Sequence, residues 1–328
     1  MGSGNWADIL AQAIFHTLVA SLFVEALVRS WRVRVPLQRM ALRLVGLGYP
    51  LVLFPALVLL FPSRAEEEFR EGALFAGRHW DEVRVLGVGL FRAWLATFAA
   101  LGTTLFLMDL VPLVAAMRRR RPPAAEPDPE SAAALGEELP RVAAALRVRA
   151  PPIVFLDRDA PILFCTGVRR HAIVISRGAV RLLDRDELRS ALAHELAHLT
   201  RHDPAVSWLV MGARGLMFFN PAFQVLSRAV ARDAEWLADD RAAKACGDRL
   251  ALASGLIKLH RATARRPLVR RTLPYAPALQ EPLARARSLD IEVRCRRLLD
   301  APLAPLRWGG LRVALAASVL TAVLFFVV

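Results

Sequence analysis

The sequence predicts an α-helical membrane protein of about four transmembrane helices that carries a separate, mostly helical α+β domain. Three observations lead to this fold class. Hydrophobic residues make up 55% of the 328 residues and the mean hydropathy is +0.36, both high for a soluble protein. Charged residues still reach 23%, so apolar and charged residues must be segregated along the chain. Four apolar stretches also approach the roughly 20 residues that a membrane-spanning helix needs.

The four apolar stretches and their flanking charges also predict a topology. The stretches cover residues 9–28, 41–61, 93–116 and 309–328. The loops after the first and third stretches are rich in arginine, whereas the loop at residues 62–84 is rich in acidic residues. Because basic loops stay in the cytoplasm, we expect both termini outside and the segment between the third and fourth stretches inside. The chain is therefore predicted to be a multi-pass protein of the inner (cytoplasmic) membrane, with the lipid bilayer as a partner.

The net charge of +14 has two explanations, a nucleic-acid partner or membrane topology. A nucleic-acid-binding protein concentrates its basic residues on one helix or beside stacking aromatic residues. Here they lie in short runs beside apolar stretches, as in residues 29–43 and 118–121. This placement favours membrane topology, and no nucleic-acid partner is expected.

The polar part of the chain divides into a linker and a domain. Residues 1–117 hold the first three apolar stretches, residues 118–131 form an Arg- and Pro-rich linker, and residues 132–308 form the cytoplasmic domain. Asp184 and Glu187 have the spacing of a capping box and predict a helix from there to about residue 200. Short β-like runs precede that helix at residues 153–156, 162–165 and 172–176.

The predicted helix carries the motif His194-Glu195-Leu196-Ala197-His198. Residues four apart on a helix lie about 40° apart around its axis and about 6 Å along it, so both imidazoles face one side. Two histidines so placed typically bind Zn²⁺, together with a third protein ligand and a water molecule. Glu195 lies beside that face, where it can take a proton from the water. The motif therefore predicts a zinc-dependent hydrolase.

The alternative is a chance match on an amphipathic helix, because the chain has seven histidines. The neighbouring leucines at positions 188, 192, 196 and 199 make this helix partly buried. Buried polar groups need partners, and a metal ion supplies them. The three cysteines, Cys165, Cys246 and Cys295, include no C-x-x-C pair and predict neither a disulfide framework nor a thiolate zinc site.

The third ligand must come from elsewhere in the chain. His202 lies about 12 Å along the axis from His194, too far to share one metal on a continuous helix. Glu235 is a better candidate, with Asp239 one turn later on the same helix face. Asp239 would then orient a ligating histidine. The alternative is a solvated acidic face, but Trp236 and its apolar neighbours indicate a partly buried helix, which Gly247 ends.

An H-E-x-x-H helix followed by a helix with E-x-x-x-D resembles the membrane gluzincin metallopeptidases, over roughly residues 150–300. The segment from Thr166 to Arg170 leading into residues 173–176 is similar to the strand before the zinc helix in that family. Asn220-Pro221, Arg232 and residues 291–299 also fit its pattern.

The resemblance implies a zinc metalloendopeptidase that cleaves a protein or peptide substrate on the cytoplasmic side, in regulated proteolysis or signalling. By it, His194, His198 and Glu235 bind Zn²⁺, Glu195 is the general base, and Asp239 contacts a ligating histidine.

Two branches of the family are similar to this chain. Three spans, a cytoplasmic zinc domain and a fourth span match the beta-lactam-sensor/antirepressor branch. The His-Pro element of the HtpX and CAAX prenyl protease type is not evident between residues 260 and 300. No extracellular binding domain follows the last span, so direct antibiotic sensing is not expected. An HtpX-type quality-control protease and a non-catalytic signalling or scaffold protein stay open as alternatives; the substrate, the activating signal and the oligomeric state are not determined.

Polar residues in the apolar stretches predict contacts inside the bundle. Gln12 and His16 lie four apart in the first stretch and indicate either a functional pair or a packed polar stripe. Glu25 can pair with Arg29, and Asp109 is a candidate for interhelical contact.

Two further segments leave alternatives open. Residues 172–176 predict either an edge strand that binds an extended substrate or an ordinary sheet strand. The apolar run at residues 206–219, broken by Arg214, predicts either a core helix or one that dips into the membrane surface.

Overall fold

The computed structural model describes residues 6–65, 84–85, 88–118, 124–166, 171–200, 203–264, 290–300 and 309–325. Several sequence predictions lie outside the described residues. They concern most of the acidic loop at 62–84, the arginine run at 119–121, the segment at 167–170 and His202.

The described helices are α1 (Trp6–Ser30), α2 (Pro36–Gly48), α3 (Phe54–Leu60), α4 (Leu90–Arg118), α5 (Pro129–Leu146), α6 (Arg177–Leu182), α7 (Arg185–Leu199), α8 (Asp203–Leu216), α9 (Pro221–Cys246), α10 (Arg249–Ala264), α11 (290–299) and α12 (Gly309–Phe325). The strands are β1 (Arg84–Val85), β2 (Val88–Gly89), β3 (Ile153–Leu156), β4 (Leu163–Thr166) and β5 (Ala172–Ser176).

The chain folds into two compact units. The first consists of Met1–Leu110, Leu209–Ala234 and Leu303–Val328, and the second of Val111–Trp208 and Glu235–Pro302. Most of the second unit lies within the predicted domain at residues 132–308. Residues 209–234 also lie within the predicted domain, but in the structure they group with the apolar helices of the first unit.

Two described helices are long and apolar enough to cross a membrane, at Leu10–Ser30 and Leu90–Val111. Gly309–Phe325 is apolar but shorter. The second predicted stretch, residues 41–61, is not one regular helix, because a π-helical turn at Tyr49–Leu53 separates α2 from α3. Pro50 and Pro55 lack the backbone N–H groups that a regular helix needs there. Four transmembrane helices are therefore not confirmed.

Buried polar contacts organise the first unit. The carboxylate of Glu25 accepts hydrogen bonds from Arg43 at 2.7 and 3.1 Å, so its partner in the structure is Arg43 and not the predicted Arg29. His16 is buried, and its Nδ1 donates to the carbonyl of Gln12 at 2.8 Å, as expected for a polar stripe packed inside the bundle.

The second unit is built on a three-stranded sheet in the order β3-β5-β4. Strand β5 pairs in parallel with β3 and antiparallel with β4. The interpretation of residues 172–176 as an edge strand is therefore wrong, because both sides of β5 are occupied. Its continuous apolar run suits a central position, where Ile173 and Ile175 are fully buried. Strands β3 and β4 lie at the two edges of the sheet.

Helix α7 is the central helix of the second unit. It begins with the predicted capping box: Asp184 accepts from the backbone N–H of Glu187 at 2.9 Å, and Glu187 accepts from that of Asp184 at 2.9 Å. Leu188, Leu192 and Leu196 are almost fully buried in the core that α7 forms with α5, α10 and the sheet. The predicted helix is confirmed, and its rigid packing fixes the side chains that follow.

A buried carboxylate ties α5 to α7. Glu138 is fully buried and accepts hydrogen bonds from Arg185 at 2.7 Å and from Arg189 at 2.6 Å. The hydrogen bond from Arg189, opposed by burial and assisted by Arg185, lowers the pKa of Glu138 to about 2. The ion pair therefore stabilises the fold above the ordinary Glu pKa of 4.5 and is lost as the pH falls through about 2.

We expect Glu138→Gln to lower the free energy of unfolding by about 1–2 kcal/mol at pH 7, a value reduced because the arginine partners are partly exposed. Unfolding of the full chain in detergent, measured between pH 2 and pH 7, checks this. The difference from wild type should shrink as the pH falls from about 4.5 towards about 2. Glu137→Gln, at the half-exposed neighbouring position, is the control and should change little. A pH-independent difference for Glu138→Gln would contradict the assignment.

Candidate metal centre

Helices α7 and α9 bring together three of the side chains that the sequence predicted as ligands. His194 and His198 lie one turn apart on α7, with ring centroids 5.0 Å apart. Glu235 of α9 faces both rings. One ligand atom from each residue lies within 4.8 Å of the other two. Two imidazole nitrogens and a carboxylate oxygen form a donor set that suits Zn²⁺.

The distances within this donor set fit one small cation. Nε2 of His194 is 3.5 Å from Oε2 of Glu235, and Nε2 of His198 is 3.7 Å from Oε1 of Glu235. Ligand atoms at about 2.1 Å from a tetrahedral zinc ion lie about 3.4 Å from one another. Small movements of the three side chains would bring all three ligand atoms to bonding distance of one metal ion.

Asp239 lies one turn after Glu235 on α9 and contacts the first histidine. Its Oδ1 is 2.9 Å from Nδ1 of His194, and its side chain is fully buried. With Nδ1 facing Asp239, Nε2 of His194 faces the ligand cluster, 3.5 Å from Oε2 of Glu235 and 3.5 Å from Nη2 of Arg294. This is the contact that the E-x-x-x-D spacing predicted for Asp239.

Arg294 of α11 is a member of the cluster that the sequence reasoning missed. Its Nε and Nη2 donate to the two oxygens of Asp239 at 2.8 and 2.7 Å, and its Nη1 lies 3.2 Å from Oε2 of Glu235. Residues 291–299 were singled out only as a segment, in which Arg294, Arg296 and Arg297 are alike in sequence. One signal could have indicated such a residue: two buried acids on α9 require a cation besides histidine.

Glu195 lies next to His194 on α7, and its carboxylate is held by β4. Its Oε2 accepts a hydrogen bond from the backbone N–H of Cys165 at 2.8 Å. Burial raises the pKa of Glu195, and this outweighs the lowering effect of the two histidines and of the Cys165 hydrogen bond. A carboxylate with a raised pKa accepts a proton more readily than an ordinary glutamate does.

The charges of the cluster are coupled. Burial opposes protonation of His194, but hydrogen bonds to Asp239 and Glu235 outweigh it and raise the pKa of His194 to about 10. The pKa of Glu235 falls to about 2, because His194 and Arg294 outweigh its burial. The pKa of Asp239 is also lowered, by His194 and Arg294. Before a metal binds, the two carboxylates, Glu235 and Asp239, are therefore paired with two cations, His194 and Arg294.

The alternative of a solvated acidic face does not describe α9. Asp233 and Asp239 are fully buried, and Asp240 is paired with Arg297. Glu235 is the more open member of the cluster, with 40% of its side chain exposed, so water can reach it. Gly247 follows the helix at φ +72°, as its predicted role as a helix terminator requires.

The chain matches a protein-family model described as BlaR1 peptidase M56 over residues 98–276, more than half of its length. The chain belongs to this peptidase family. The matched region contains the H-E-x-x-H helix, Glu235 and Asp239, whereas Arg294 lies beyond it. Membership of the M56 family confirms the resemblance to the membrane gluzincins that the motifs indicated, and it implies a metal ion at the site.

The curated relatives of this M56 chain are named protease HtpX homolog, the other type that the motifs suggested. The chain is 30% identical over 170 residues to the protease HtpX homolog of Pyrococcus furiosus, and the match covers 40% of this chain and 59% of the relative. It is 29% identical over 145 residues to that of Salinibacter ruber, covering 36% and 52%, and 31% identical over 170 residues to that of Methylibium petroleiphilum, covering 42% and 60%. The chain thus spans between half and three-fifths of these relatives. No solved structure matches it.

The raised pKa of His194 predicts proton release on metal binding. We expect His194 to give up about one proton when Zn²⁺ binds at pH 8, so the affinity should fall as the pH is lowered. Calorimetric titration in two buffers of different ionisation enthalpy measures the protons released. Asp239→Asn is the matched variant: without the carboxylate that holds the proton on His194, it should release fewer. Equal release by both proteins would contradict the role of Asp239.

The contacts of Arg294 predict that it supports the metal ligands. We expect Arg294→Gln to weaken zinc binding by about 10–100-fold, because Asp239 and Glu235 lose a shared partner. Competition with a chromophoric chelator measures the affinity. Arg296→Gln is the control, since Arg296 lies on the same helix with 77% of its side chain exposed and pairs with Glu292. Unchanged zinc affinity in Arg294→Gln would overturn this prediction.

Proposed function

We propose that the chain is a membrane-bound zinc metalloendopeptidase that hydrolyses peptide bonds of a protein substrate on the cytoplasmic side of the membrane. The observation that supports this most strongly is the convergence of His194, His198 and Glu235, with Glu195 beside them on α7. Structural zinc sites usually have four protein ligands, whereas three ligands leave a position for water or substrate.

Each residue of the cluster has a role in this proposal. His194, His198 and Glu235 hold the zinc ion, which when bound supplies Lewis acidity and an acidified water molecule. Asp239 orients His194 through Nδ1, and Arg294 keeps Asp239 ionised and in place. The motif spacing and the contacts both support the roles proposed for His194, His198, Glu235 and Asp239.

Glu195 moves the proton. Its carboxylate takes a proton from the attacking water and then delivers it to the nitrogen of the cleaved peptide bond. Burial raises the pKa of Glu195, which makes its carboxylate a stronger proton acceptor. The N–H of Cys165 fixes one oxygen of the carboxylate, so the other oxygen is available to the reacting groups.

Strand β4 is placed to align the substrate. Among the described strands it pairs only with β5, so none of the described strands pairs with its other edge. The N–H of Cys165 points from that edge towards Glu195. A substrate added to this edge as an extended strand would run past the general base, and its main chain would supply the contacts.

The domain organisation is part of the same proposal. Residues 1–117 hold membrane helices, residues 118–131 are the linker, residues 132–308 contain the cytoplasmic peptidase, and residues 309–328 form the last membrane helix. The arginine-rich flanks support this orientation in the inner membrane by the positive-inside rule. The apolar character of α1, α4 and α12 supports several membrane crossings.

A second candidate function is quality control of membrane proteins. The printed names of the curated relatives, protease HtpX homolog, favour it, whereas the family model favours the sensor branch and a role in regulated proteolysis. Cleavage of a misfolded membrane protein, compared with cleavage of a folded soluble regulator, distinguishes the two. A non-catalytic scaffold would cleave neither.

We expect Glu195→Gln to lower the rate of peptide-bond hydrolysis by at least about 100-fold, while zinc stays bound, because the amide cannot accept the proton. The measurements are zinc content and cleavage of an unfolded protein by the detergent-solubilised full chain. Glu292→Gln, at a half-exposed position paired with Arg296, is the control and should leave both unchanged. Unaltered cleavage by the zinc-loaded Glu195→Gln variant would remove the enzyme proposal and favour the scaffold.

A further inference from the structure

Residues 209–234 have the polarity of a membrane-embedded segment. They comprise the end of α8, a short turn and the first part of α9, and they belong to the unit of apolar helices. Large apolar side chains lie on their surface: Leu209 is 73% exposed, Leu216 71% and Val225 58%. Exposed large apolar side chains that cluster on one segment mark a surface that contacts a partner or lipid.

Most polar side chains of the same segment point inwards. Arg214, Asn220, Gln224, Ser227 and Asp233 are all buried, four of them less than 2% exposed and Arg214 8%, whereas Arg228 is 30% exposed and Arg232, beside Asp233, is exposed. Inside-out polarity of this kind is expected where lipid is the solvent, since ionisable groups then face the protein interior and pair there.

Each buried charge of the segment has a partner on a neighbouring helix of the same unit. Arg214 and Arg228 both bind the carboxylate of Asp109, Arg228 at 3.0 Å, so the predicted interhelical contact of Asp109 exists. Asp233 pairs with Arg43 and lies 3.2 Å from Arg39 of α2. Burial of these charges in an apolar surrounding is therefore compensated.

The turn between α8 and α9 is held inside the candidate membrane spans. Nδ2 of Asn220 donates to the carbonyl of Ala13 at 3.1 Å and to Oγ1 of Thr17 at 2.8 Å, both on α1. On α4, Gly102 lies so close to the backbone of Phe219 that a Cβ atom would collide with it. The turn thus lies beside both helices at positions far from their ends at residues 30 and 118.

The lengths along the helices agree with this depth. Thr17 is thirteen residues from the end of α1 at Ser30, about 20 Å along the axis. Residues 221–234 of α9 also cover about 20 Å. An apolar bilayer core is about 30 Å thick, so an arm of this length enters it without crossing it.

We propose that residues 209–234 form a re-entrant helical hairpin that enters the bilayer from the side of Asp233 and contacts lipid acyl chains through Leu209, Leu216, Phe218 and Val225. Lipid is the occupant that the structure favours, because α4 and α12 of the same unit expose similar residues, such as Leu107 and Leu311. The hairpin is polar inside, non-helical only where the turn is buried in protein, and apolar outside. The proposal depends on the chain being a membrane protein and not on the role of Glu195.

Spin labels on the full chain in phosphatidylcholine and phosphatidylglycerol vesicles test the hairpin. Single cysteines are introduced as Leu216→Cys and Val225→Cys, with Leu209→Cys as a second reporter, after the three native cysteines are replaced. Leu250→Cys is the matched control, because Leu250 is 69% exposed and lies on α10 in the second unit. Retained zinc binding shows that each variant is folded.

Collisions with oxygen, which concentrates in lipid, are compared with collisions with a water-soluble chromium complex. We expect oxygen to dominate at positions 216 and 225 and chromium to dominate at position 250. Dominant chromium collisions at positions 216 and 225 would overturn the proposal by showing a water-exposed surface. Low rates with both reagents would also overturn it, since protein, such as a second copy of the chain, would then cover these positions. Neither outcome depends on proteolytic activity.

Discussion

The carboxylate of Asp239 accepts from Arg294 through both oxygens and contacts Nδ1 of His194 at the same time, and the metal centre depends on this arrangement. It joins three helices, α7, α9 and α11, that lie far apart in the sequence. A fully buried carboxylate is costly unless it is paired and hydrogen-bonded, so each partner fixes the position of the others. The direction of the Nε2 atom of His194 is a consequence of this pairing, and so is the approach of Glu235 from the same face of α9.

The same constraint on buried charge governs the unit of apolar helices. Asp109 is shared by Arg214 and Arg228, and Asp233 is paired with Arg43. Helix α9 is notable in this respect. It supplies Asp233 to one compact unit and, from two residues later, Glu235 and Asp239 to the other. A single helix with acids on both faces thus serves the interior of each unit.

Local patterns were predictable wherever the determining contacts lie within a few residues. The capping box of Asp184 and Glu187, the strand at residues 153–156 and the end of α9 at Gly247 were confirmed, because hydrogen bonds and φ preferences act over short distances. Features that depend on distant contacts were harder to predict. The second apolar stretch contains a π-helical turn, and residues 209–234, which lie within the predicted domain at 132–308, group with the apolar helices.

The family and the ligand candidates were predictable from the sequence alone, since i and i+4 spacing on a helix places His194 with His198 and Glu235 with Asp239 whatever the rest of the fold does. The packing of distant segments shows which acid faces which histidine, that β5 is the central strand with β3 and β4 at the edges, and that Arg294 is a cation of the site besides His194. Pairing between distant segments depends on how their surfaces pack, and Arg294 is indistinguishable from Arg296 and Arg297 until α11 meets α9. Burial then distinguishes Arg294 from the other two, because a guanidinium is stable in the protein interior only where carboxylates pair with it.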